Sequence, residues 1–226
     1  LNSSAGCCPP RTMAPTVAQT TACAPSSSAR GMNPGGSQRR SVSQKLMRAP
    51  AIAPRTRVYV ETTDVGDPRA WRLAEVVAQH NTEVRCRTVP RDKGEASTEC
   101  VIDLGFAEVY EANEPGEDPA DGSYGDATAM RHLHEPALLE NLRRRILRTP
   151  IPQPYTSMGS TVLIAVNPLR RVPSPRVERY ANSAHGTCPP HPFGVAEVAF
   201  QRVASVAPDA RNQSIVVSGE SGAGKT

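Results

Sequence analysis

QSIVVSGESGAGKT, residues 213–226, is the stretch on which the reading of this chain turns. Its first half, Ser214–Ser218, is a short β-branched run, the pattern of a strand buried on both faces. Its second half, Gly219–Thr226, has the form G-x-x-x-x-G-K-T. A phosphate chain is a cluster of anionic oxygens, and a loop holds it by turning successive backbone N–H groups inward. Gly219, Gly222 and Gly224 give that loop its freedom of backbone angle. Lys225 is placed to reach β- and γ-phosphates, and the Thr226 hydroxyl is placed to coordinate Mg²⁺.

Working outward, STVLIAVNP (residues 160–168) is a continuous apolar strand that ends on Asn-Pro. FGVAEVAFQRVASV (193–206) carries Val195, Val198, Ala199, Arg202, Val203 and Val206 at helical spacing. Strand, helix, strand and loop together predict the start of a layered α/β domain. Further upstream, HLHEPALLENLRRRILRTP predicts a helix with Pro136 in its first turn and Pro150 as its stop. Leu138, Leu142 and Ile146, with Leu139 alongside, form its expected apolar stripe. His132 and His134 precede that helix with only Glu135 beside them, too few groups for a metal site.

The first half of the chain has a different texture. Residues 1–54 are rich in Ser, Pro, Thr, Ala and Gly and poor in large apolar groups, which predicts a disordered tail. Arg39, Arg40, Lys45 and Arg48 lie in it without interleaved aromatics, so a nucleic-acid partner is not expected. Residues 55–112 hold short alternating runs (RVYVE, WRLAEVVAQ, TEVRCRTV, STECVIDLGFAEVY) separated by turn residues, which predicts a small antiparallel barrel anchored by Trp71. Residues 113–129 read as an acidic Gly/Pro linker, and residues 130–226 as the α/β part.

The formal net charge of +4 indicates no particular partner. The six cysteines show no C-x-x-C pair and read as free thiols of a reducing compartment. No apolar run approaches the roughly 20 residues of a membrane-spanning helix. A first residue other than Met and a last residue inside the motif lead us to expect a piece of a longer polypeptide.

NQSIVVSGESGAGKT resembles the myosin motor head, in which an N-Q-S strand leads into G-E-S-G-A-G-K-T. HLHEPALLENLRRRI is similar to that family's L-H-E-P-A-x-L-x-N-L helix, and PYTSMGSTVLIAVNPLRRVP to its Y-T-x-x-G-S-x-L-x-A-V-N-P segment. PPHPFGVAEVAF is similar to its P-H-I-F helix, so four blocks stand in family order across residues 130–226. The resemblance implies a P-loop NTPase motor that hydrolyses ATP with Mg²⁺ along actin filaments, in the cytoplasm and cytoskeleton, with light chains as further partners. It implies that Gly219, Glu220, Ser221, Gly222, Ala223, Gly224, Lys225 and Thr226 bind nucleotide. It also places Asn167, Pro168 and Arg170 on the adenine side, and it identifies residues 55–112 as a barrel of the Src-homology-3 kind. One departure is Pro175, where the family commonly has a Tyr that packs near adenine.

In this family water placement and metal coordination belong to two switch segments, N-x-N-S-S-R-F-G and D-I-x-G-F-E, neither of which occurs in residues 1–226. No catalytic residue is therefore assigned, and these residues by themselves are expected to be inactive. A non-catalytic adaptor and a kinesin-like P-loop NTPase are the rival readings.

Overall fold

A computed structural model describes residues 17–22, 51–62, 69–91, 94–205 and 212–225. They fall into two units, Pro25–Arg144 and a second made of Leu1–Ala24 with Arg145–Thr226. The first unit is built on an antiparallel sheet of β2 (Arg57–Glu61), β3 (Trp71–His80), β4 (Glu83–Thr88), β5 (Glu99–Asp103) and β6 (Val109–Glu111), in the order β5-β4-β3-β2-β6. Alternation is strict in β4, where every second residue, Val84, Cys86 and Thr88, is buried, whereas β2 buries the consecutive Val58, Tyr59 and Val60. Val58, Val60, Ala74, Val76, Val84 and Cys86 make the core, flanked by Ile52, Cys100, Ile102, Leu104 and Val109. Trp71, expected as the anchor, lies beside this aliphatic core and meets Tyr110 edge to face at 5.3 Å. A register shift between Val76 and Ala78 bends the long β3 strand.

Residues 113–129, expected as a linker, are folded. Gly116 donates its N–H to Gly122 O (2.8 Å) and Gly122 donates to Asp118 O (2.7 Å), closing a tight acidic turn. A methyl group on Gly116 would lie 2.6 Å from the Ser123 carbonyl oxygen, so no larger residue fits there. The turn docks on α1 (Glu135–Leu147) through Asn141, which is 4% exposed. Its Oδ1 accepts from Tyr124 N–H at 2.7 Å and its Nδ2 donates to Tyr124 O at 3.1 Å. Asn113 clasps the His132 peptide group in the same way. Asn141→Ala leaves a backbone donor and acceptor without these partners. We expect a loss of about 2 kcal/mol in urea unfolding, with an unchanged m-value.

The buried stripe of α1 keeps only Leu142 of the expected leucine stripe; it consists of Pro136, Ala137, Asn141, Leu142 and Arg145, while Leu138 and Ile146 are half-buried and Leu139 is 39% exposed. Polar members are tolerated because each reaches a backbone carbonyl; Arg145 donates from Nε and Nη2 to Tyr155 O at 3.2 and 2.9 Å. Among the described residues no three His, Cys, Asp or Glu side chains gather as metal ligands, and no helix is long and apolar enough to cross a membrane.

The second unit holds β1 (Val17–Ala22), β7 (Tyr155–Met158), β8 (Val162–Val166), α2 (Pro192–Ala204) and β9 (Ile215–Ser218), with sheet order β7-β8-β1-β9. β7 and β8 form a hairpin through Gly159, whose φ is +67°. β1 is antiparallel to both β8 and β9. The last two therefore run parallel to each other, joined in sequence through α2, as the strand–helix–strand pattern predicts.

Two expectations are corrected here. Val17–Ala22 lies in the stretch expected to be disordered yet forms an inner strand; of the remainder of residues 1–54, only 51–54 are described. It pairs with both β8 and β9. The backbone supplies the reason: two parallel strands a strand-width apart each present a ladder of N–H and C=O groups, and one antiparallel segment between them satisfies both. β9, expected to be buried, is exposed along its length, with Ile215, Val216 and Val217 at 46%, 52% and 54%. It stands at the sheet edge, with β1 on one side.

Candidate functional site

Parallel strands deliver their carboxyl ends to the same edge of a sheet, which is where α/β folds hold ligands. Here β8 ends at Val166 and β9 at Ser218, so Asn167 and the Gly219–Lys225 turn must meet. They do: a methyl group on Gly224 would lie 2.9 Å from Asn167 Nδ2. The glycine is thus required twice, by this approach and by its φ of +90°. Gly222 has a φ of +85° and open space where a side chain would stand.

Ala223 donates its N–H to Glu220 O at 3.1 Å, which closes the turn. Ala223 is the buried residue of the loop, while Gly219 is half-buried and Glu220, Ser221, Gly222, Gly224 and Lys225 follow with mostly exposed surfaces. Lys225 folds back across the loop, its Nζ donating to Gly219 O (2.8 Å) and Glu220 O (2.7 Å). A cation held on two carbonyls at the mouth of a glycine turn, with an exposed approach, suits a polyanion. Thr226, the expected Mg²⁺ ligand, lies outside the described residues.

Asn167 accepts from Leu169 N–H through Oδ1 at 2.9 Å, and Leu169 takes a φ of +53°. This local turn follows directly on the end of β8. Asn167 and Arg170 are exposed and Pro168 is half-buried. Pro175 lies farther along the same surface segment, half-buried. Tyr180 is 3% exposed and donates its hydroxyl to Pro189 O at 3.0 Å, so it serves packing.

Sequence reading missed the device that caps α2. His191 is the N-cap, its Nδ1 accepting from Phe193 N–H at 3.2 Å, with Pro192 in the first turn. Its ring packs against Phe193 (4.4 Å between centroids), Tyr155 (5.0 Å) and Tyr180 (5.5 Å). The His-Pro pair before an apolar helix is the signal that could have disclosed it. Burial pushes the His191 imidazole below its ordinary value. Protonation also removes the acceptor that caps the helix. A histidine lowered in the folded state contributes stability that is complete above its unfolded value and lost as pH falls through the folded one. We expect the amides at the start of α2 to exchange faster as pH falls below about 6.5, after correction for intrinsic rates, and His191→Asn to flatten that dependence.

Residues 124–226 match the family described as Myosin head (motor domain). Myosin-8 of Arabidopsis thaliana is 45% identical over 181 residues, covering 78% of this chain and 10% of the relative. Myosin-6 of the same plant is 46% identical over 114 residues, 49% of this chain and 7% of the relative. Mouse unconventional myosin-Vb is 36% identical over 174 residues, 76% of this chain and 9% of the relative. The chain thus spans a tenth or less of the length of these relatives. The Myosin-8 alignment is longer than residues 124–226 alone can supply, so the similarity reaches back into the five-stranded unit.

Proposed function

Because residues 124–226 belong to the myosin head family, we propose that the chain supplies the nucleotide-binding portion of an actin-based motor that couples ATP hydrolysis to movement. One observation carries this reading: the glycine turn and Asn167 share one edge of the sheet, at the ends of two parallel strands. Gly219–Thr226 cradles the phosphates of ATP, and Asn167, Pro168 and Arg170 flank the adenine. Lys225, now resting on Gly219 O and Glu220 O, exchanges those carbonyls for phosphate oxygens. The Thr226 hydroxyl would hold Mg²⁺, which would supply neutralisation of phosphate charge when bound.

The domain reading goes with it. Residues 55–112 form a module of the Src-homology-3 kind, supported by a meander whose fifth strand, β6, returns to pair with the first, β2. Residues 130–226 form the front of the motor, with the strand Val17–Ala22 built into its sheet and 113–129 as a structured connection. Actin and light chains are partners of the intact motor, in the cytoplasm and on the cytoskeleton.

Neither switch string occurs in residues 1–226, so these residues by themselves lack the groups that place water and complete the metal shell. Titrating the 226-residue chain with a fluorescent ATP analogue tests this. We expect no saturation at about 1 mM, which corresponds to less than about 4 kcal/mol of binding. Saturation in the micromolar range contradicts it and favours a self-sufficient nucleotide site.

A further inference from the structure

Residues directly opposed on antiparallel strands project to the same face. In the β4–β5 ladder Cys86 stands opposite Cys100. The phase of the ladder is fixed by Thr88 N–H to Thr98 O (2.8 Å) at one end and Leu104 N–H to Thr82 O (2.9 Å) at the other. Hydrogen-bonded partners recur at every second residue, so Cys86 and Cys100 occupy a hydrogen-bonded rung. Such rungs hold Cα atoms about 5.5 Å apart, inside the roughly 4.4–6.8 Å that a disulfide spans, while their Cβ atoms stand at the wide end of the roughly 4.5–5.5 Å of opposed residues, so closure draws the edge strand β5 locally toward β4. Both side chains turn toward the same aliphatic core, Cys86 fully buried within it and Cys100 packed half-exposed against it. Both thiols are free.

We propose that Cys86 and Cys100 form a reversible disulfide site, closed by a small peroxide oxidant and opened by a thiol reductant. The half-exposed Cys100 reacts first. Its Sγ attacks a peroxide oxygen, the O–O bond breaks, and the departing hydroxide leaves as water with the thiol proton. Cys86 Sγ then attacks the resulting sulfenic sulfur, the S–O bond breaks, and a second water leaves with the Cys86 proton. The two thiols lose two electrons in all, and the peroxide gains them. The order agrees with the surroundings. Burial, with a contribution from Cys100, pushes the Cys86 thiol up to about 11. Burial raises Cys100 as well, but Arg72 opposes it. Closure staples β5, an edge strand, to its neighbour.

The test uses the full 226-residue chain with Cys7, Cys8, Cys23 and Cys188 changed to Ser, alongside the unaltered chain. Each is treated with hydrogen peroxide, alkylated in denaturant and mapped by mass spectrometry. The proposal expects a linked pair of peptides containing Cys86 and Cys100, about 2 Da lighter than the two free thiols. It also expects alkylation of both to fall together at least about tenfold and to return with dithiothreitol. In the Cys86→Ala chain, Cys100 should instead advance to sulfinic acid. Two persistently alkylatable thiols, or sulfinic acid on Cys100 with Cys86 still present, overturns the proposal. So does linkage of either thiol to another cysteine in the unaltered chain.

Discussion

A complete myosin head that carries residues 130–226 of this chain in place of its own segment loses about 10²–10³ of its actin-activated ATP turnover when Lys225 becomes alanine. The Lys225 ammonium is the one cation of the glycine turn, and it sits on two carbonyls within the loop. Those carbonyls are fixed acceptors, so releasing the ammonium to phosphate trades one set of charge-assisted bonds for another. The exchange favours phosphate because the anion carries full charge and the carbonyls only partial charge. Removing the ammonium leaves the glycine turn to meet the phosphates with backbone N–H groups and no cation of its own. Steady-state turnover of the two heads at saturating actin measures the loss. Since alanine preserves the turn, thermal unfolding of the two heads should coincide. Gly224→Ala should lose activity by a different route, through collision with Asn167.

The largest effect on stability is expected at Glu140. Its side chain is 11% exposed and meets Arg91 Nη2 at 3.0 Å, Arg143 Nε at 2.9 Å and Arg144 Nε at 3.0 Å. Burial alone would raise the Glu140 carboxyl, yet hydrogen bonds from Arg143 and Arg144 and the fields of Arg143 and Arg91 hold it below its ordinary value. Glu140→Gln keeps the shape and removes the charge, leaving three guanidinium groups to repel one another. These groups are partly solvated, so the cost falls near the low end for a broken buried pair, about 2–3 kcal/mol. In thermal unfolding this is a drop in Tm of about 4–12 °C. The sign of the pH dependence follows from the lowered carboxyl. Its contribution is complete above the unfolded value of about 4.3 and disappears as pH falls through the lower folded value. The gap between parent and variant should therefore close on acidification below about pH 4.

How much of this was legible depends on whether the signal was local. Val162–Val166 and Ser214–Ser218 announced themselves as strands because apolar β-branched runs need no distant information. Pro136 marked the start of α1 for the same reason, and Gly222 and Gly224 marked the turn. What escaped depended on partners remote in sequence. Val17–Ala22 has a strand's composition only weakly, and its place is set by the ladders of β8 and β9. Ser214–Ser218 read as buried because its residues are apolar, but its position at a sheet edge decided otherwise. Asn141 and Arg145 interrupt the apolar stripe of α1, and only the carbonyls of Tyr124 and Tyr155 explain why they are buried. The opposition of Cys86 to Cys100 is likewise a fact of register.

The most direct test of the central claim is the actin-activated ATPase rate of that composite head with Lys225 intact. If residues 130–226 form the phosphate-holding front of a myosin motor, the composite turns over ATP within about tenfold of the head it was built from. A composite that folds, as judged by its unfolding transition, yet hydrolyses ATP no faster than its Lys225→Ala counterpart contradicts the account.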